Sequence, residues 1–224
     1  MELIAVDAAG LQDALEVSAT SHRMAFGASC AQRLSRSFLN PSNRKKRPED
    51  AKLVETVLNK LWEAGAGASI SNAVDLVVHL EKMPEFAWDE EPEGIEMFGQ
   101  NALAVLDFAL RSYIDDSMRY LLLCARRAFD AAWFLEARLH ADEESTDPLA
   151  DPLPRPWENP APQDRSMHFH TRELDHQRSD LAIISGVGPS GWETALMTMR
   201  ESSDAYSIGF SEALRRYYWG HDGA

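Results

Sequence analysis

Cysteine is scarce: 224 residues hold two, Cys30 and Cys124. Two thiols far apart in sequence make neither a disulfide framework nor a metal-ligand spacing. Both fall on apolar positions of helical segments, so they read as small buried hydrophobes in a reducing compartment. Long apolar runs are missing too. No window approaches the ~18 consecutive apolar residues of a membrane span. The N-terminus, Met1-Glu2-Leu3-Ile4-Ala5-Val6-Asp7, lacks the basic region and apolar core of a secretory signal, so the expected location is the cytoplasm. Positive charge is outnumbered, 22 basic residues against 36 acidic, for a formal net charge of -14. That balance disfavours nucleic acid and anionic membranes as partners and suits a basic protein. Catalytic signatures are absent as well: no Gly-x-Ser-x-Gly elbow, no phosphate-cradling loop and no Cys-x-x-Cys pair.

What the chain does have is helical periodicity. Ile95, Phe98, Ala102, Val105, Leu106, Ala109 and Tyr113 recur every three or four residues, as one buried helix face requires. Met118 to Leu139 is apolar around most of its circumference, the pattern of a helix packed on several sides. The same reading predicts seven helices and no strand. The first runs from about Ala8 to Ser37, followed by a polar loop from Asn40 to Arg47. Pro48 opens the second helix, which ends at Gly65 or Gly67. Ser69 or Ser71 is the expected cap of a third, carrying Val74 and Val78 on its stripe and stopping near Pro84. Asp115, Asp116 and Ser117 separate helices four and five; His168 to Ile184 is the sixth, and the seventh continues to about Tyr217. Residues 140–165 hold six prolines, which exclude regular structure. The expectation is one all-α domain, residues 1–224, interrupted by a proline-rich crossover.

Three groups of residues could carry function. The segment Pro84 to Gly94 sets Glu85, Asp89, Glu90, Glu91 and Glu93 around Trp88. An aromatic flanked by carboxylates can anchor a basic partner, the ring supplying contact area and the charges steering approach. The second group is His168, His170, Glu173, Asp175, His176 and Asp180. Glu173-Leu174-Asp175-His176 matches the Glu-x-x-His spacing of di-iron bundles, with Asp107, Asp130 or Glu136 available to complete a metal set. No second Glu-x-x-His occurs, so the constellation reads as an exposed, solvated helix start, and no cofactor is expected. The third is Tyr217, Tyr218 and Trp219, exposed aromatics that a homodimer would cover. His22 and His79, on or beside apolar stripes, read as core histidines. Arg44-Lys45-Lys46-Arg47 reads as a solvated basic loop, and Gly186-Val187-Gly188-Pro189-Ser190-Gly191 as a helix-to-helix turn.

Several stretches resemble the bacterial YjaG-like family of uncharacterised helical proteins. Ala25-Phe26-Gly27-Ala28-Ser29-Cys30-Ala31-Gln32-Arg33-Leu34 is similar to its early helix, with a Phe before small residues and then a Glu/Gln-Arg pair. Leu58-Asn59-Lys60-Leu61-Trp62-Glu63 resembles its Leu-x-x-x-Trp-Glu helix end. Glu93-Gly94-Ile95-Glu96-Met97-Phe98 resembles the opening of its central helix, and Glu173 with Gln177, Asp180 and Leu181 its late Glu-x-x-x-Gln helix. The resemblance implies an all-helical cytoplasmic fold and supplies no catalytic residues. Together these readings predict a non-enzymatic binding protein, of the immunity or antitoxin type, that masks a basic toxin through Glu85, Trp88, Asp89, Glu90, Glu91 and Glu93. A metal-binding bundle at Glu173 and His176, or a structural homodimer, is the alternative.

Overall fold

A computed structural model describes residues 10–87, 94–144 and 168–219. Every regular element among them is a helix and none is a strand. The elements in chain order are α1 (10–16), α2 (Thr20–Phe38), α3 (Pro41–Lys46), α4 (Pro48–Gly65), α5 (Ala73–Leu80), α6 (Ile95–Asp115), α7 (Met118–Glu144), α8 (Phe169–Gly186) and α9 (Trp192–Trp219). Short 3-10 turns occupy Pro84–Phe86 and Pro189–Gly191. None of these helices is long and apolar enough to cross a membrane.

The axis of the fold is α2. Every residue from Met24 to Ser35 is buried, because α4, α6 and α9 surround the helix and α7 and α8 close the remaining sides. Its composition permits this: Ala25, Gly27, Ala28, Ser29, Cys30 and Ala31 present little bulk, so neighbouring helices approach closely. A side chain at Gly27 would meet Leu121 at 3.2 Å and Ala109 at 3.3 Å, which is where α6 and α7 press against α2. One continuous apolar cluster results, with Phe26, Phe38, Phe98 and Phe210 fully buried.

Three boundaries and one helix face differ from the periodic reading. The first predicted helix is two, because the chain turns extended at Ala19 (ψ 152) after Ser18 bonds back to the carbonyl of Ala14 at 2.7 Å. A serine hydroxyl that competes for the backbone in this way favours helix ends over helix interiors. The predicted polar loop contains α3, started by Pro41 in the first turn and capped by Asn40, whose side chain accepts from the Asn43 N–H at 3.0 Å. The helix expected to start at Ser69 or Ser71 begins after Asn72, with no side-chain cap. Val74 and Val78, expected on its buried stripe, face solvent at 59% and 42% exposure. Elsewhere the signals hold: α4 ends at Gly65, and Asp116 closes α6 in the left-handed conformation, φ 49.

Candidate functional site

The main polar constellation of the interior is built on Arg33. It projects from the enclosed helix α2 and is fully buried, so its charge must be met by protein groups. Glu173, Gln177 and Asp180 meet it from α8, spaced by four and three residues so that they share one face. Glu173 takes the guanidinium side-on, accepting from Nε at 2.7 Å and from Nη2 at 2.9 Å. Asp180 accepts from Nη1 at 2.8 Å, and Ser29 Oγ accepts from the same nitrogen at 2.6 Å. Nη2 also donates to the Cys30 sulfur at 3.3 Å. Ser29 donates to Asp180 at 2.6 Å and shares a 2.7 Å bond with Ser203 of α9. Gln177 donates to both Glu173 and the Ala125 carbonyl of α7. All five guanidinium hydrogens therefore have acceptors, and the network ties α2, α7, α8 and α9 together.

The electrostatics are those of a sealed structural clamp. Burial pushes the Glu173 and Asp180 carboxyls up, and the attraction of Arg33 only partly offsets it. Burial opposes the Arg33 charge too, but the carboxylates of Glu173 and Asp180 more than compensate and raise its pKa. Burial also raises both thiols, so Cys30 and Cys124 are neutral, buried and unpaired, as their apolar setting predicted. A group with no solvent access and every donor engaged cannot receive a substrate; this arrangement positions helices.

The region predicted as an exposed helix start is thus corrected. His168, Glu173 and Asp180 are buried, while Asp175 alone of the carboxylates there faces solvent. The spacing that suggested a metal ligand pair instead matches the pitch of a helix face docked on Arg33. Glu173 is committed to that guanidinium. His176 stands edge-on to Tyr206, with ring centres 5.1 Å apart and its Nδ1 3.2 Å from Ser202 Oγ. Burial, Arg33 and Arg172 lower its pKa to about 4. The other predicted carboxylates are dispersed: Asp107 binds Arg111, Asp130 binds Arg126, and Glu136 binds His168 and His170. No cluster of three or more His, Cys, Asp or Glu suited to a metal occurs among the described residues.

Glu136 forms a second polar junction. Its two oxygens lie 3.0 Å from His168 Nδ1 and 2.6 Å from His170 Nδ1, and one also accepts the His170 backbone N–H at 3.3 Å. Burial would raise this carboxyl, but the hydrogen bonds from His170 and His168 prevail and hold it below its ordinary value. A carboxylate at the first turn of α8 also opposes the helix dipole favourably. Neither histidine junction was visible as a contact in the sequence, and Arg33 stood out only as part of a Gln-Arg pair.

No family model, curated protein or solved structure matches this chain.

Of the predicted partner-binding set, Glu85 lies within the described residues, and it faces inward. It is 5% exposed, and both of its oxygens are held by Arg47, one at 3.0 Å. Trp88, Asp89, Glu90, Glu91 and Glu93 lie outside the described residues. Their flanks are fixed. Gln100 of α6 donates to the Glu85 carbonyl at 2.9 Å, and Gly94 takes a conformation open to glycine (φ 74, ψ -146) beside Glu96 and Tyr218. Tyr218 packs edge-on to Phe98 at 6.2 Å and is half-buried, as is Tyr217. Among the predicted core histidines, His22 stacks on Trp192 with ring centres 3.9 Å apart, whereas His79 is exposed and bonded to its own helix.

Proposed function

We propose that this protein is a non-enzymatic cytoplasmic binding module that masks a basic protein partner, in the manner of an immunity protein or antitoxin. The observation that carries this reading is where the charge sits. Residues 88–93 and 140–165 together hold eleven acidic residues and two basic ones, a net of -9 within a formal total of -14. Elsewhere in the chain several carboxylates are spent on internal partners: Glu173 and Asp180 on Arg33, Glu85 and Asp50 on Arg47, Asp107 and Glu81 on Arg111. Surplus negative charge confined to short segments concentrates the field that steers a cationic partner. The fixed flanks at Glu85 and Gly94 lower the ordering cost of binding through the residues between them.

The test has two steps. Tagged protein is isolated from its own host at physiological salt, and a single stoichiometric basic protein is the expected companion. Asp89, Glu90, Glu91 and Glu93 are then changed to the corresponding amides, leaving Glu85 intact for Arg47. Slower association with that companion and a flatter dependence on salt are expected. Association kinetics identical to wild type would remove the segment from the interface.

A further inference from the structure

A depression of about 270 Å³ opens between α4 and α9 over the C-terminal turns of α2. It adjoins a second, of about 480 Å³, along the same face of α9, and the two share Gln32, Arg200 and Asp204. Three arginines line the smaller one, each from a different element: Arg36 of α2, Arg44 of α3 and Arg200 of α9. Two carboxylates face them, Glu55 and Asp204, which leaves one positive charge in excess on a strongly acidic chain. Glu201 lines the neighbouring depression instead.

The arginines are held but not saturated. Arg36 Nη2 forks onto Asp204 at 3.1 and 3.2 Å, while its Nε is buried without a hydrogen-bond partner among the described residues. Arg44 reaches Glu55 at 2.5 Å, both side chains being about half exposed. Solvent-exposed ion pairs of this kind are weak, so neither arginine is strongly committed. Arg200 has no carboxylate partner among the described residues. One of its nitrogens donates to Asn59 at 2.8 Å, and its Cζ lies 5.9 Å from the centre of the Trp62 ring. The floor is pre-set: Trp62 Nε1 donates to Gln32 at 3.2 Å, and Gln32 donates to Asp204 at 3.0 Å.

Guanidinium groups lining one depression suit an oxyanion, and an excess of positive charge favours a dianion. The volume lies just below the ~300–1,000 Å³ of drug-sized pockets, which fits a small head group. We propose that this depression binds a phosphoryl group, carried by a small phosphate monoester or a phosphorylated side chain, with Arg200 as the leading contact. None of its lining residues belongs to the acidic segments, and it stands or falls independently of the binding-module reading.

Calorimetric titration of the full chain with inorganic phosphate, phenyl phosphate and a phosphoserine peptide, at a constant ionic strength of about 0.15 M, tests it. Saturable binding of at least one probe at or below about 1 mM is expected. Arg200→Gln should weaken it about tenfold or more, and Arg200→Lys, which keeps the charge but loses the fork, should weaken it less. Because Arg200 is exposed, circular dichroism and thermal midpoint of these variants should match wild type. Lys82→Gln, at an exposed cation in the turn after α5, should bind as wild type does. Tighter binding of the peptide assigns the group to a modified protein, and equal or tighter binding of phenyl phosphate assigns it to a free ester. No saturable binding of any probe, or undiminished binding by Arg200→Gln, would overturn the proposal.

Discussion

At the scale of single residues, Arg33 decides more than any other side chain. Two carboxylates and one guanidinium are buried together, so removing the guanidinium strands two acids in an apolar interior. Arg33→Met is expected to cost about 3–5 kcal/mol in urea unfolding. Replacing Arg33, Glu173 and Asp180 together with apolar residues of similar volume should recover most of that loss, since no uncompensated charge then remains. Full loss in the triple variant would show that the network specifies packing as well as balancing charge. The neighbouring His176 sets a pH dependence of known sign. Its folded pKa of about 4 lies below the ordinary value of 6.5, so between these values the unfolded chain binds the extra proton. Its contribution to stability is complete above pH 6.5 and is lost as the pH falls toward 4. Glu173 and Asp180 act in the opposite sense, because burial raises them above their unfolded values: their contribution is greatest at acid pH and declines as the pH rises through the folded values. Urea midpoints measured from pH 7 to 4 should fall less steeply for His176→Gln than for wild type; parallel curves would show that His176 is not the titrating group.

At the scale of elements, the stripe on α6 was legible because its positions meet one core on one side: Phe98, Ala102, Val105, Leu106 and Ala109 are all buried. Two helices escaped that logic. Periodicity assigns α2 a single inward face, whereas its small residues let helices pack all round it, and the polar Ser29, Gln32 and Arg33 are enclosed along with the apolar ones. On α8 the buried face between Phe169 and Ile184 is polar, formed by Glu173, Gln177 and Asp180. A hydrophobic pattern cannot reveal such a face, because its partner lies about 140 residues away in the chain. The inward view of α2 makes Gly27 sensitive to bulk. Gly27→Val would press methyl groups against Ala109 and Leu121, and a loss of about 1–3 kcal/mol is expected by thermal unfolding. The junction at Glu136 predicts a local effect. Glu136→Gln removes the charge facing His168, His170 and the first turn of α8, so hydrogen exchange should quicken at residues 169–173 while α2 amides remain protected. Uniform acceleration across the chain would place Glu136 in the global core instead.

For the whole molecule, the relevant division is between negative charge used to hold helices together and negative charge left over. The composition revealed the surplus at once, but not which carboxylates were already engaged; that depends on which arginine each helix brings alongside. Glu85 shows the difference. In the sequence it belongs with Asp89, Glu90, Glu91 and Glu93, while in the fold it is a buried acceptor for Arg47, which also stacks 5.2 Å from the Phe38 ring and bonds Asp50 at 2.7 Å. The hydrogen bond to Glu85 is the main influence that raises the Arg47 pKa above its ordinary value. The five carboxylates should therefore separate into two classes in one pair of measurements. Glu85→Gln is expected to lower unfolding free energy by about 1.5–3 kcal/mol, the usual worth of a charge-assisted hydrogen bond, with little change in the salt dependence of partner association. The four downstream amides together should leave the unfolding midpoint where it is or raise it slightly, since they relieve like-charge repulsion, and should flatten the salt dependence. If the four amides destabilised the fold as much as Glu85→Gln, those carboxylates would be structural too, and the steering field would have to come from residues 140–165.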